Sequence, residues 1–249
     1  SLLGKYFSFL MLFYLIIGKG ENEMRYYISD NHFFHKGVIE RMDNRPFNSL
    51  EEMHDYMIKQ WNLRVKRGDE VVILGDFSFG NTEQTLDILR QLKGKKYLIV
   101  GNHDKWLKKY DNEKHHCFRL IAPYHEMNDN KRKVILSHYP IFCYNGQFRH
   151  KDGEFTTWML HGHIHNSPDV GLLEEYKEIT KDYKRVVYKN EGLMSTPIQM
   201  INCFCMYSDY IPLTLDEWIE KERNGELKTI ATDWTKTGKK EGFISGFYK

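Results

Sequence analysis

Five short apolar runs, each ending in the same kind of side chain, constrain this chain more than any other feature. Residues 24–29 (MRYYIS) lead into Asp30-Asn31-His32, residues 70–74 (EVVIL) into Gly75-Asp76, and residues 96–100 (KYLIV) into Gly101-Asn102-His103-Asp104. Further on, Val134-Ile135-Leu136 leads into Ser137-His138, and residues 156–160 (TTWML) into His161-Gly162-His163-Ile164-His165. Runs of this length, rich in β-branched and aromatic residues, read as buried strands. In open α/β sheets, ligands gather outside the carboxyl ends of the strands. Each stretch alone has an ordinary explanation. Asp30 fits a turn, Asn102 and Asp104 a turn or a helix cap, His138 a hydrogen-bonded core histidine, and residues 161–165 a polar edge strand. Together, those explanations would have to hold independently in every stretch. Packing gives no reason to end five buried strands in His, Asp or Asn, so the set reads as a metal site.

Between the strands the period changes. Ser49-Leu50-Glu51-Glu52 is an S-x-x-E capping box, and Leu50, Met53, Met57, Trp61 and Val65 follow at helical spacing. Residues 82–92 predict a second helix, capped by Asn81 or Thr82, and residues 215–222 a closing one. This strand–helix–strand rhythm predicts an α/β sheet with crossover helices. Beyond about residue 117 the style shifts to strands joined by loops, with residues 186–189 and 198–206 as further strands. Residues 174–185 are charged and read as a solvated insertion or hairpin, the insertion spanning about 171–190. The 249 residues suit one domain, placed at 24–249.

Composition narrows the function classes. The formal net charge is +2 with no dense basic block, which gives no support for tight, nonspecific nucleic-acid binding. Cys117, Cys143, Cys203 and Cys205 include no C-x-x-C pair and read as the reduced thiols of a cytoplasmic protein. Residues 6–17 (YFSFLMLFYLII) are strongly apolar, yet shorter than the about 17–25 residues of a bilayer span. Lys5 precedes them as in a signal peptide, but no small-x-small cleavage pattern follows. Residues 1–23 are therefore read as translated upstream sequence, with a membrane or packing helix as the rival.

The donor types narrow the metal. Mixed nitrogen and oxygen donors without thiolate favour Mn, Fe, Zn or Co, and the imidazole content argues against Ca or Mg. The set serves two ions better than one, with about three ligands each once one carboxylate is shared. Asp76, alone after a central strand, is the natural bridge. Two such ions roughly 3.5–4 Å apart clamp a phosphoryl group.

In this order, D-x-H, G-D, G-N-H-D, a lone His after a strand and G-H-x-H resemble the motifs of calcineurin-like metallophosphoesterases. The texts "YYISDNHFFHKGVIERMDNRPF", "VVILGDFSFG", "KKYLIVGNHDKW" and "WMLHGHIHNSP" look like the small bacterial and phage-type members. The resemblance covers Met24 to about Pro168 and, weakly, "YIPLTLDEW". It implies a four-layer α/β/β/α sandwich of two facing mixed sheets, with two divalent transition-metal ions, manganese first among them. It also implies hydrolysis of phosphomonoesters or phosphodiesters by metal-bound hydroxide. Metal one would take Asp30, His32, Asp76 and His165, and metal two Asp76, Asn102, His138 and His163. His103 would serve the leaving-group oxygen as general acid or transition-state stabiliser. His161 falls outside G-H-x-H and reads as a strand residue.

One departure matters. Protein phosphatases of this superfamily carry G-D-x-x-D-R, where this chain has Gly75-Asp76-Phe77-Ser78-Phe79-Gly80. The Asp that would orient the catalytic His and the Arg that would hold phosphate are both missing, which argues against a phosphoprotein phosphatase. Asp104 is then either the partner of His103 or a helix cap. Phosphate contacts are sought in His35, Lys36, Arg45, Arg149 and Lys151. The expected substrate is a small phosphoester or nucleotide-type molecule; neither a protein partner nor a membrane is signalled. A nuclease of the same superfamily and a non-catalytic metal-binding scaffold are the rivals.

Overall fold

The computed structural model describes residues 23–108, 116–186 and 192–227. The apolar segment 6–17 and most of the strand expected at 186–189 lie outside the described residues.

Four strands form the first sheet in the order β1 (Arg25–Ile28), β2 (Glu70–Ile73), β3 (Lys95–Ile99) and β4 (Phe118–Ala122). All three pairings are parallel. The connections supply the helices α1 (Leu50–Arg64) and α2 (Thr82–Gln91), as parallel strands require. Ser49 caps α1 by accepting from Glu52 N–H. Met53, Met57 and Trp61, one face of that helix, are buried. Asn81 caps α2 in a reciprocal box with Gln84.

A second four-stranded sheet runs β12 (Met200–Asn202), β9 (Thr157–His161), β6 (Arg132–Ser137) and β5 (Tyr124–Asp129). Here β12, β9 and β6 are parallel, and β5 is antiparallel to β6. This sheet is mixed, as expected. The first sheet is parallel throughout rather than mixed, because crossover helices connect its strands; Leu213 adds only an isolated antiparallel bridge to Tyr27 at the β1 edge. Two small hairpins, β7 (His150–Lys151) with β8 (Glu154–Phe155) and β10 (Lys184–Val186) with β11 (Leu193–Ser195), complete the strands.

Strand alternation sorts the second sheet onto two cores. Val134, Leu136, Trp158, Leu160 and Ile201 share one apolar core with Ile28, Val72 and Leu98 of the first sheet and with α1 and α2. Their neighbours Ile135, Met159 and Met200 point the other way, onto Leu173 of α3 (Asp169–Asp182). The charged segment expected as a solvated insertion is largely this helix. Its Leu173 seals the outer face of the sheet, and its charged residues other than the buried Lys177 are exposed. The closing helix α4 (Leu215–Arg223) is capped by Thr214 and Glu217, and Trp218 Nε1–H donates to the Tyr27 carbonyl at 3.0 Å.

Several strand boundaries differ from expectation. The strand expected at 198–206 is limited to β12, because a 3₁₀ turn at Cys205–Ser208 follows it closely. β4 and β5 lay outside the expectation altogether. Their residues, half-exposed and mixed in polarity, carry little periodic signal.

Candidate metal centre

The two sheets meet where β1 passes into its loop. Ser29 N–H donates to Cys203 O (2.9 Å), and Cys205 N–H returns to Ser29 O (3.1 Å). Beyond that point the loops after β1 and β2 run side by side: His32 N–H donates to Asp76 O, and Phe33 N–H to Phe77 O, each at 3.0 Å. The loop after β9 meets the end of β6 through Gly162 N–H to His138 O (3.0 Å) and the loop after β1 through His163 N–H to Asp30 Oδ2 (3.1 Å). The ends of β1, β2, β6 and β9 are thus drawn to one place.

Two clusters result. Asp30, His32 and His165 bring one ligand atom each within 4.8 Å of one another, and so do Asp76, His138 and His163. Asp76 Oδ2 lies between them, 3.4 Å from His138 Nε2 and 3.7 Å from His32 Nε2. Asn102 Oδ1 sits 3.1 Å from His138 Nε2. His103 Nε2 is 4.0 Å from Asp76 Oδ2, at the partly exposed rim.

Local backbone geometry explains the close approach. Asp30, His32, Asp76, His163 and His165 all have positive φ, between 47° and 71°. Left-handed conformations on non-glycine residues are strained and concentrate at functional sites. Two glycines make room behind the carboxylates. A Cβ on Gly101 would stand 2.2 Å from Asp76 Oδ1, and one on Gly162 would stand 2.3 Å from Asp30 Oδ2.

The hydrogen-bond pattern fixes which nitrogens face inward. His138 Nδ1 lies 2.8 Å from the Leu74 carbonyl, which can only accept, so the proton is on Nδ1 and the Nε2 lone pair faces Asp76 and Asn102. His165 Nδ1 lies 2.7 Å from Asp43 Oδ1, turning its Nε2 to Asp30 Oδ1 at 3.4 Å and to His32 Nε2 at 3.1 Å. Acceptors facing acceptors at such distances need positive charge between them. Burial works against charge on both rings, yet Asp43 and Asp30 carry His165 up to about 10, and Asp76 and Asp30 carry His138 up to about 9. The carboxylates draw cations here, whether protons or metal ions. Imidazole and carboxylate donors of this kind fit divalent transition metals.

Asp43, Arg45 and Asp104 turn out to support the centre, roles the sequence reading did not give them. Asp43 orients His165 as a carboxylate behind a ligating histidine. Arg45, expected as a phosphate contact, is instead buried behind the centre. It donates to Asp43 Oδ2 (3.0 Å), Asn31 O (2.7 Å) and Asp30 O (2.9 Å). Its guanidinium satisfies carbonyls of the first ligand loop, so it faces away from substrate. Asp104 is neither a cap nor the partner of His103. Its carboxylate accepts from the N–H groups of Asp76 (2.9 Å), Phe77 (2.9 Å) and Gly101 (2.8 Å) and from Trp106 Nε1 (3.2 Å), and so clamps two ligand loops together. Burial pushes this carboxyl up to about 6. The only advance signal was an aspartate and an arginine in an otherwise loop-like stretch.

The remaining candidates divide. His35 reaches the centre, with its Nδ1 3.0 Å from His32 Nδ1. Arg149 does not; it lines a separate cleft of about 690 Å³ with Tyr144, Phe148 and Arg185. Lys36 is exposed and paired with Glu40 at 2.8 Å, and Lys151 lines another cleft beside Arg132 and Trp158. His161 ends β9 in the core, as expected of a strand residue.

An α/β protein with imidazoles and carboxylates gathered at its strand ends belongs, by fold and site together, among metal-binding α/β proteins. Residues 26–243 match the calcineurin-like phosphoesterase family, and the chain belongs to that family of metal-dependent hydrolases. It is 34% identical over 210 residues to an uncharacterized protein of Methanocaldococcus jannaschii, covering 84% of this chain and 96% of that one. It is also similar to the Gene 66 proteins of Mycobacterium phages L5 and D29, at 29% and 31% identity. Each match covers 57% of this chain, and 77% and 78% of those proteins respectively. Among solved structures, a protein of unknown function from Aquifex aeolicus shares the fold. Its TM-score is 0.51 at 24% identity, over 81% of this chain and 100% of that one.

Proposed function

We propose that this protein is a dinuclear metal-dependent phosphoesterase that hydrolyses phosphomonoesters or phosphodiesters. The observation that carries this reading is the pair of adjacent ligand clusters, with Asp76 Oδ2 of the second 3.7 Å from His32 Nε2 of the first and His103 Nε2 4.0 Å from the same oxygen. Asp30, His32, Asp76 and His165 would hold one ion, and Asp76, Asn102, His138 and His163 the other. When bound, the two ions supply Lewis-acid activation of water and of the phosphoryl group.

The chain's own groups do the rest. Asp43 and the Leu74 carbonyl keep the Nδ1 protons of His165 and His138 away from the centre, so each presents a lone pair. Asp104 holds the loop of Asp76 against the loop of Asn102. His103, on the rim, is placed to donate a proton to the departing oxygen. The two large sheets share one core with α1 and α2, and α3 packs on a second core on the far face of the second sheet. That arrangement supports a four-layer α/β/β/α sandwich.

We take the substrate to be a small phosphoester or nucleotide-type molecule. Manganese is our first choice of metal. The free thiols Cys203 and Cys205 are buried, and no helix among the described residues is long and apolar enough to cross a membrane. The free buried thiols support a cytoplasmic protein. The test combines metal analysis with p-nitrophenyl phosphate, its bis-ester, cyclic nucleotides and DNA. Two ions per chain with turnover of one ester is the expected result; no turnover of any ester by fully loaded protein would leave only the scaffold reading.

A further inference from the structure

The motif position that carries an orienting aspartate in protein phosphatases carries Phe79 here, and the ring is partly exposed at the rim of the centre. An exposed large apolar side chain beside a polar site calls for a reason. Its contacts supply one. The Phe79 ring stacks on His103, centroids 4.5 Å apart with 28° between planes. It stacks more closely on His35, at 3.8 Å and 17°, and lies 5.1 Å from His32 at 26°. The His103 and His32 separations fall in the favoured range for aromatic pairs, about 4.5–7 Å between centroids.

The ring is itself held. Phe79 N–H donates to the Phe33 carbonyl at 2.8 Å, and Ser78 bridges Phe33 in parallel fashion. Ser78 is buried, its hydroxyl within 2.7 Å of Thr85 Oγ1 on α2 and accepting from Gly80 N–H at 3.0 Å. The segment from Phe77 to Gly80 is therefore tied to the first ligand loop and to α2 at once. His35, on the other side of the stack, is tied to His32 by the 3.0 Å contact of their Nδ1 atoms.

We propose that Phe79, backed by His35, is the positioning residue for His103. It sets the plane of the imidazole by stacking where protein phosphatases use a carboxylate hydrogen bond. This rests on the reading of His103 as the leaving-group acid. A carboxylate partner would restrain the ring and add a negative charge beside it. An aromatic face restrains the ring and adds none, so the imidazole is aimed without being made more basic. Truncating the face frees the ring to turn about its side-chain bonds, and a misplaced acid is a slow one.

The proposal is tested first on metal-free protein by NMR. The ring-proton resonances of His103, identified by their loss in His103→Asn, should be ring-current shifted in the wild type. They should move toward free-histidine values in Phe79→Leu and Phe79→Met and stay shifted in Phe79→Tyr. With manganese bound, Phe79→Leu should lower kcat about 10–100-fold on an alkyl phosphoester, with KM changed less than about threefold. Phe79→Tyr should restore the rate, and Phe79→Leu combined with His103→Asn should be no slower than His103→Asn alone. Resonances unmoved by both truncations, losses that multiply in the double variant, or a loss confined to KM would each overturn it; the last would make Phe79 a substrate contact. If the wild type hydrolyses no phosphoester, the enzymatic reading fails, while the resonance shift still decides whether Phe79 holds His103.

Discussion

Arg45→Met separates a structural arginine from a phosphate contact. The guanidinium is fully buried between Phe204 and Tyr210, whose ring centroids lie 5.9 and 5.6 Å from it, and donates to one carboxylate and two carbonyls. Methionine fills much of the stem's volume but leaves Asp43 with a single partner, His165, and leaves the carbonyls of Asp30 and Asn31 without these donors. Removing one partner of a buried ion pair costs about 3–5 kcal/mol. At about 2–4 °C per kcal/mol for a chain of this size, the melting temperature should fall by roughly 6–20 °C. Calorimetry and urea titration of the metal-free protein measure this directly. Arg45→Lys, which keeps the charge but cannot form the planar fork, should fall between the two. Asp43→Asn combined with Arg45→Met should cost less than the sum of the single changes, because both act on one network. A loss of less than about 1 kcal/mol in Arg45→Met would refute the structural role. If it came with a tenfold rise in KM for a phosphoester, Arg45 would be the phosphate contact that its sequence position suggested.

Metal analysis of Asp76→Asn should show lower occupancy at both sites, whereas His165→Ala should weaken mainly one; unchanged binding of both ions in Asp76→Asn would exclude the bridge. His103→Gln should cut turnover roughly 10²–10⁴-fold with both metals retained. That deficit should grow with leaving-group pKa, and loss of metal would make His103 a ligand instead. Burial holds His161 down to about 4, and its Nε2 has no hydrogen-bond partner among the described residues. Unfolded, this histidine titrates near ~6.5, so the unfolded chain binds a proton that the folded chain refuses. Its contribution to stability is thus full above about pH 6.5 and is lost as pH falls from there toward 4. His161→Leu should flatten that part of the urea-denaturation profile of the metal-free protein, and a parallel profile would show that another group causes the slope.

Much of the site was legible because its chemistry sits where strand periodicity breaks. The apolar runs of β1, β2, β3, β6 and β9 are strong local signals, and each stops at a residue that packing alone would not choose. What was illegible depends on long-range contacts. Asp43 and Arg45 lie in a stretch with no periodicity, and their surroundings are distant in sequence: His165, 122 residues from Asp43, and Phe204 and Tyr210 beside Arg45. Asp104 looked like a cap because it precedes a short helical turn, yet its acceptors serve N–H groups up to 28 residues distant. Arg149 and Arg45 were equivalent as sequence, two arginines in loops. Only the fold separates one in a remote cleft from one behind the first ligand loop. The helix α3 was misread for a related reason: its buried side is little more than Leu173, Lys177 and Thr180, too thin an apolar face to stand out from its charges.

The opening pattern of strands ending in ligands also explains why the loops need such heavy support. Five residues proposed as ligands sit in the left-handed region without being glycine, at about 1–2 kcal/mol apiece in the general case. A chain keeps that strain only where its surroundings over-determine the conformation. Two buried ionisable side chains do so here from opposite sides. Arg45 donates to the carbonyl of Asp30, a strained residue, and Asp104 accepts from the N–H of Asp76, another. Each therefore satisfies the peptide groups that the left-handed turns leave out of the sheets. The ligand geometry thus rests on these backbone bonds as well as on the donor side chains themselves. Orientation of His103 is then a separate matter, left to aromatic packing on a different loop.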